Sequence, residues 1–101
     1  MILYNVTVNV ESSIIDEWLG WMKDQHIPEV MATGCFKQHK ILKLMQEDPE
    51  AQGSTYAVQY FAENMQAIDH YMEQHAPMLR QIHVERYGSK CVSFRTLLEE
   101  V

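Results

Sequence analysis

Residues 2–10, ILYNVTVNV, alternate strictly between two kinds of side chain. An extended chain points successive side chains to opposite faces, so a period of two residues predicts a β-strand. The two faces are Ile2, Tyr4, Val6, Val8 and Val10 on one side, and Leu3, Asn5, Thr7 and Asn9 on the other. The first face can pack on a core. The second is too apolar for full solvation and too polar for a dry core, so the sheet needs a partial cover there.

The other periodicities and turn signals along the chain predict a fixed order of strands and helices. We predict a strand at 2–10, a helix at 11–26 with a continuation at 28–34, a strand at 35–46, a strand at 54–62, a helix at 63–75 resuming at 77–88, and a strand at 89–101. Pro28 and Pro77 interrupt the two helices, and Gly34 and Gly88 end them.

The order is therefore β-α-β-β-α-β in one domain of 101 residues. With right-handed crossovers it predicts an α+β protein with a four-stranded antiparallel sheet in the order 4-1-3-2 and helices on one face, the ferredoxin-like arrangement. The first strand then lies inside the sheet, and the second and fourth strands form its edges.

Composition excludes several functions. The formal net charge is −6, and the eight Lys and Arg residues form no dense stripe, so neither nucleic acid nor an anionic membrane is an expected partner. No apolar run approaches the roughly 20 residues of a membrane span. Cys35 and Cys91 form no C-x-x-C pair. We therefore expect a cytoplasmic protein with free thiols and without a signal peptide.

Four polar residues are the candidate ligand-binding set on the uncovered sheet face: Asn5, His39, Gln59 and Arg95. Polar groups on a half-covered sheet need hydrogen-bond partners. A bound small molecule would supply them, with Arg95 recognising an acidic group. Waters or a partner subunit would do so equally well, because such a face also suits a symmetric homodimer.

The stretches ILYNVTVNVE, HIPEVMATGCF, STYAVQYFA and HYMEQHAPMLRQIHVERYG resemble a small bacterial family of unknown function. That family belongs to the dimeric α+β barrel group of ferredoxin-like proteins, and the resemblance covers essentially the whole chain. It implies this fold and a homodimer, and it implies no activity.

The wider group includes cofactor-independent monooxygenases and haem-degrading enzymes. In the haem-degrading branch, the site consists of an Asn on the first strand and a Trp and a His on the second helix. By this resemblance Asn5 matches the Asn, Tyr71 stands where the Trp would be, and His83 stands where the axial His would be. These three residues are the catalytic candidates, and haem is the one alternative cofactor.

Three of the five histidines lie in residues 70–83. His70 and His75 are five residues apart, which on a continuous helix separates them by about 140°. We therefore predict that they point apart and that the chain has no metal site. His26 is interpreted as a residue that favours the dipole at a helix end.

Three functions stay open at this point. The main hypothesis is a small homodimeric domain that binds a small molecule at the open sheet face. The second is a monooxygenase-like enzyme, without a cofactor or with haem, and the third is a protein-interaction module. Whether the protein is an enzyme is left undecided, because a fold alone does not define an activity.

Overall fold

The computed structural model describes residues 1–101, which form one antiparallel four-stranded sheet with the strand order β2-β3-β1-β4. The strands are β1 (Ile2–Glu11), β2 (Gln38–Lys43), β3 (Gly53–Ala62) and β4 (Cys91–Glu99). The α-helices are α1 (Ile15–Trp21), α2 (Ile27–Ala32), α3 (Met65–Gln74) and α4 (Ala76–Tyr87). The predicted ferredoxin-like order and topology are confirmed.

Strand β1 is one of the two inner strands, because it pairs with both β3 and β4. Residues that pair across an antiparallel sheet point to the same face. The helix-side face of the three strands contains the paired sets Tyr4 with Tyr60 and Leu97, Val6 with Val58 and Arg95, and Val8 with Tyr56 and Ser93. The register of β1 thus decides which residues of its neighbours meet the helices.

The first helical segment of the layer runs from α1 to α2 through a π-helical turn, Met22–His26. The amide of Ile27 donates to the carbonyl of Met22 five residues earlier, and Pro28 occupies the first turn of α2. The interruption expected before Pro28 is therefore a widened turn, after which the chain stays helical. Beyond α2 the chain reverses at Gly34, whose φ of 77° is the left-handed conformation that glycine adopts easily.

The second helical segment of the same layer consists of α3 and α4. The side chain of Asn64 caps α3, since its Oδ1 accepts the amide of Ala67 at 3.0 Å. Helix α3 ends at Gln74, and α4 begins at Ala76 with a proline in its first turn. None of the helices is long and apolar enough to cross a bilayer.

The edge strand β2 is shorter than predicted. It begins at Gln38 rather than at residue 35, because Cys35 and Phe36 are buried in the loop before it. The Phe36 ring stacks on Tyr4 and contacts Tyr71 with its edge. Burial against these aromatic rings therefore holds the loop away from the sheet edge.

The core lies between the sheet and the helices. Trp18 and Val10 are completely buried in it, and Tyr4, Tyr60 and Tyr71 are each less than 5% exposed. Tyrosines are large amphipathic side chains whose hydroxyls need partners when they are buried. This tyrosine-rich part of the core therefore creates a polar patch inside an apolar layer.

The start of β3 permits only glycine at residue 53, because an added Cβ would lie 2.5 Å from the Val10 carbonyl oxygen. We expect Gly53→Ala to lower the free energy of unfolding by about 1–3 kcal/mol. Gly20→Ala is the matched control, since nothing lies within 4 Å of its added methyl group and Gly20 is helical. It should raise the free energy of unfolding by about 0.5–1 kcal/mol. Urea denaturation measures both, and an unchanged stability of Gly53→Ala would contradict this strand register.

Candidate functional site

A cavity of about 40 Å³ lies on the helix side of the sheet. Its strand wall includes Tyr4, Val6 and Val58, and its helix wall includes His26 and Arg80. Arg95 reaches it from the edge strand β4 and is solvent-exposed, so it stands at the mouth. A cavity of this size holds a few waters, and a larger guest needs the arginine side chains at the mouth to move.

Two arginines from different elements meet at one phenol oxygen in this cavity. Arg80 Nη2, from α4, and Arg95 Nε, from β4, each donate to Tyr4 Oη at 3.1 Å. Tyr4 Oη accepts both bonds, and its own hydroxyl proton donates to no protein group. Two cationic donors and one neutral donor therefore lie close together at this oxygen.

Neither of these guanidinium groups has a carboxylate partner. The three ion pairs of the structure join the N-terminus to Glu100, Lys37 to Glu63 and Arg86 to Glu17. Arg80 Nε is moreover buried and without a hydrogen-bond partner. Two neighbouring positive charges without a carboxylate repel each other, and Arg80 is half-buried, so an anion bound between them would relieve the repulsion.

His83 is held beside the cavity by a tryptophan. Trp18 Nε1 donates to His83 Nε2 at 3.0 Å. Because an indole nitrogen only donates, neutral His83 carries its proton on Nδ1. Burial, with Arg95 nearby, lowers the pKa of His83, so the neutral ring is its form at pH 7.

His26 is the second imidazole at the cavity, and it ends the π-helical turn. Its ring stacks on Trp21 at 4.9 Å between centroids, and its Nδ1 is buried without a partner. Burial lowers the pKa of His26 to about 4, assisted by His83 and Arg95. An unpartnered nitrogen on a neutral ring can accept a proton or a hydrogen bond from a guest.

Tyr60 and Tyr71 complete the wall next to Tyr4. Burial raises the pKa of both phenols well above the ordinary value. Both hydroxyls therefore stay protonated and can donate hydrogen bonds. The cavity thus combines cationic and neutral donors with an apolar and aromatic lining, and it has no acidic side chain among its lining residues.

The four predicted ligand-binding residues do not share one face. Asn5 and Gln59 pair with each other on the open side. Arg95 pairs with Val6 and His39 pairs with Tyr60, which places both on the helix side. The assignment of Arg95 and His39 to the open face is therefore wrong, because edge strands without a clear alternation do not reveal their register. His39 is exposed at the edge, and of the four only Arg95 lines the cavity.

The catalytic candidates Asn5, Tyr71 and His83 also do not converge. Tyr71 and His83 line the cavity, whereas Asn5 lies across the sheet, where its Nδ2 donates to Thr7 at 3.0 Å. The residues present do not fit a haem. The Nε2 atom of His83 is occupied by Trp18, and a cavity of about 40 Å³ is far smaller than a porphyrin.

Sequence reasoning missed Arg80, His26, Tyr4 and Tyr60 as parts of the site, whereas Tyr71 and His83 were among its candidates. Tyr4 alternates into the core and was assigned to packing alone. A signal for Arg80 existed, since an arginine one residue after the buried Leu79 lies close to the buried stripe of its helix. The position of His26 at the cavity depends on the π-helical turn, and no residue pattern in the sequence predicted that turn.

A second group of side chains contradicts the expectation that His70 and His75 point apart. Their ring centroids are 5.5 Å apart, and both lie beside Cys35. The angle of a continuous helix does not apply, because α3 ends at Gln74 and His75 has a φ of −127°. Cys35, His70 and His75 do not line the cavity, and Tyr71, which does, lies next to His75.

The chain belongs to a family described as a domain of unknown function (DUF4286), whose model matches residues 1–101. No curated protein matches it. The predicted membership of a family of unknown function is confirmed.

Several solved structures share the fold. HapK from Hahella chejuensis has a TM-score of 0.69 at 8% identity, with 100% of this chain and 93% of that chain covered. An ethyl tert-butyl ether d (ethd) family protein from Bacillus halodurans C-125 has a TM-score of 0.68 at 11% identity, and both chains are fully covered. A candidate antibiotic biosynthesis monooxygenase from Deinococcus radiodurans has a TM-score of 0.58 at 15% identity, with 100% and 93% covered. These likenesses show that the chain has the same ferredoxin-like fold.

The burial of neutral His26 makes stability depend on pH. The pKa of His26 is about 4 in the folded protein and 6.5 in the unfolded chain. The stability that the neutral, buried ring contributes is therefore fully present above pH 6.5 and is lost as the pH falls toward 4. We expect a loss of about 2 kcal/mol between pH 7 and pH 5 from this group. Urea denaturation of wild type and His26→Gln at both pH values measures it. The variant should show a correspondingly smaller loss, and an equal loss in both proteins would refute the assignment.

Proposed function

We propose that this protein binds a small organic anion, such as a carboxylate with an apolar or aromatic body, in the cavity between the sheet and the helices. The observation that carries the proposal is the pair of guanidinium groups of Arg80 and Arg95 at Tyr4 Oη, with no carboxylate on either. A carboxylate accepts from two guanidinium groups with short, charge-assisted hydrogen bonds. It would also accept from the free Tyr4 hydroxyl.

The lining supports the apolar part of this ligand class. Val6, Val8, Val30, Val58 and Leu79 give the cavity its apolar walls. Pockets for small molecules characteristically combine such walls with a few polar groups that fix orientation. The exposed position of Arg95 and the half-buried position of Arg80 support charge recognition near the entrance of the cavity. The ligand body would then point toward Val58 and Met22.

Catalysis at the same site is the second candidate function, and the unpartnered Nδ1 of His26 favours it. A neutral imidazole beside a bound anion can take a proton from it. With a pKa of about 4, however, His26 is a weak base, so only a substrate with an acidic proton would react efficiently. The likeness to a candidate monooxygenase concerns the fold, and this proton abstraction is the step that the cavity's own residues could perform.

Binding is tested by isothermal titration and thermal shift with benzoate and hexanoate, each compared with its uncharged amide. The carboxylates should bind and raise Tm, and the amides should not. Arg95→Gln and Arg80→Gln should each weaken carboxylate binding by about 10-fold or more, the effect of one charged hydrogen bond. Arg86→Gln removes the same charge on the outer surface, where Arg86 pairs with Glu17, and should bind normally.

Two outcomes would contradict the proposal. One is that no carboxylate binds. The other is that Asn5→Ala abolishes binding while Arg95→Gln does not, which would return the ligand to the open sheet face. NMR spectra of the ligand recorded during the same titration distinguish a binding protein from an enzyme. A binding protein leaves the ligand unchanged, and an enzyme converts it or exchanges its acidic proton.

We further propose that a second copy of this chain covers the open sheet face. On β4, Val92, Phe94 and Leu98 point to that face and are 69%, 64% and 49% exposed. Asn5 Oδ1, on the same face, is buried and without a partner. A two-fold dimer covers one self-complementary surface with itself, which is the simplest way to bury such a face.

Light scattering tests the dimer and should give about twice the chain mass of 11.8 kDa. Phe94→Glu should shift the protein to a monomer, because it places a charge in the proposed apolar interface. Val84→Glu changes an equally exposed apolar residue on the outer side of α4 and should remain dimeric. A monomeric wild type would contradict the dimer and leave the face to a different protein.

The proposed location is the bacterial cytoplasm. It rests on the two cysteines, which are both free in the structure: Cys35 lies in the loop before β2, and Cys91 lies on β4.

A further inference from the structure

Three metal-ligating side chains meet at one end of the helical layer, away from the guanidinium pair. Cys35 lies in the loop between α2 and β2, His70 lies in α3, and His75 lies at the junction of α3 and α4. One ligand atom of each, the Cys sulfur and a nitrogen of each ring, lies within 4.8 Å of the other two. We propose that Cys35, His70 and His75 bind a thiophilic divalent cation of the Zn²⁺ class.

The backbone at the helix junction holds the two imidazoles together. The His75 amide donates to the Tyr71 carbonyl at 2.9 Å, and the His75 carbonyl accepts the Leu79 amide at 3.2 Å. The junction thus has its own hydrogen bonds although neither helix continues through it. It turns the ring of His75 back toward His70, so that the two rings meet at 67°.

Cys35 is held in place by the loop that follows Gly34. Its amide donates to Thr33 Oγ1 at 3.3 Å, and its thiol donates weakly to the Thr33 carbonyl at 3.9 Å. The side chain is only 8% exposed, whereas His70 is solvent-exposed. A cation would therefore approach from the His70 side and meet a sheltered sulfur ligand.

The donor set selects the class of cation. One thiolate and two imidazoles suit Zn²⁺ and related borderline-soft ions, and hard ions such as Ca²⁺ and Mg²⁺ prefer oxygen ligands. Zinc bonds of about 2.3 Å to sulfur and about 2.0–2.1 Å to nitrogen put neighbouring ligand atoms roughly 3.5 Å apart. The ligand atoms must therefore approach one another by up to about 1 Å, and exposed His70 is free to rotate toward the other two. On binding, the Cys35 thiol releases its proton to solvent.

Three protein ligands leave one position of a tetrahedral site for water or another small ligand. Tyr71 stands between this position and the cavity, since it lines the cavity and its ring is 6.3 Å from that of His75. The cation would also tie the loop before β2 to the junction of the two helices. It would thereby stiffen the wall that carries Tyr71.

Cobalt titration of the tag-free, reduced and chelator-stripped full-length protein tests this site. We expect one Co²⁺ per chain, with a thiolate charge-transfer band, intense visible bands typical of tetrahedral coordination, and displacement by Zn²⁺. Cys35→Ser should lose the charge-transfer band. His70→Gln, at an exposed position that tolerates substitution, should weaken binding by about 10-fold or more.

Cys91→Ser and His39→Gln are the matched controls, and both should keep the full spectrum. Cys91 lies on β4, where burial raises the pKa of its thiol to about 11, and His39 is exposed on β2. The proposal is overturned if Co²⁺ gives only the weak bands of octahedral coordination, or if Cys35→Ser keeps the wild-type spectrum. It is also overturned if Cys35 is alkylated rapidly by iodoacetamide while no cobalt binds, which would identify a reactive thiol instead.

Discussion

The hydroxyl group of Tyr4 connects three elements on the helix side of the sheet, β1, α4 and β4. It accepts hydrogen bonds from Arg80 and Arg95, which come from a helix and from an edge strand. The Tyr4 ring stacks on Phe36 and Tyr60 and contacts Tyr71 at an angle. The Tyr4 side chain of the inner strand β1 therefore contacts α3, α4, the edge strand β4 and the loop before β2.

This arrangement keeps two positive charges close together without a protein anion between them. In a chain with a net charge of −6, carboxylates for such pairing are abundant, yet none reaches these two guanidinium groups. Neighbouring like charges cost free energy, more so where one of them is half-buried as Arg80 is, and a bound anion would recover it. This is the physical basis of the anion site that we propose, and neutral His26 and His83 lie beside it.

The sequence predicted the fold well because its strongest signals are local. The alternation of residues 2–10 and the helix ends at Gly34 and Gly88 depend on neighbouring residues only, and each appears in the structure. The candidate site depends on register instead. A shift of one residue reverses every side chain of a strand, and the edge strands β2 and β4 have no clear apolar face to fix it. Arg95 was therefore named as a candidate ligand-binding residue but was placed on the wrong side of the sheet.

The histidines show a second limit of local reasoning. The angle between His70 and His75 is predictable only while the helix is continuous, and the structure ends α3 between them. Pro77 signalled an interruption, but its position relative to His75 and the approach of Cys35 from a distant loop are tertiary features. The same is true of Arg80, whose partner Tyr4 is 76 residues away.

NMR of side-chain N–H groups during a benzoate titration is the sharpest test of an anion held by both guanidinium groups on the helix side. We expect the Nε–H signals of Arg80 and Arg95 to shift together and saturate, while that of Arg86 stays in place. Saturable shifts of the Asn5 and Gln59 side-chain amides, with both arginine signals unmoved, would contradict it.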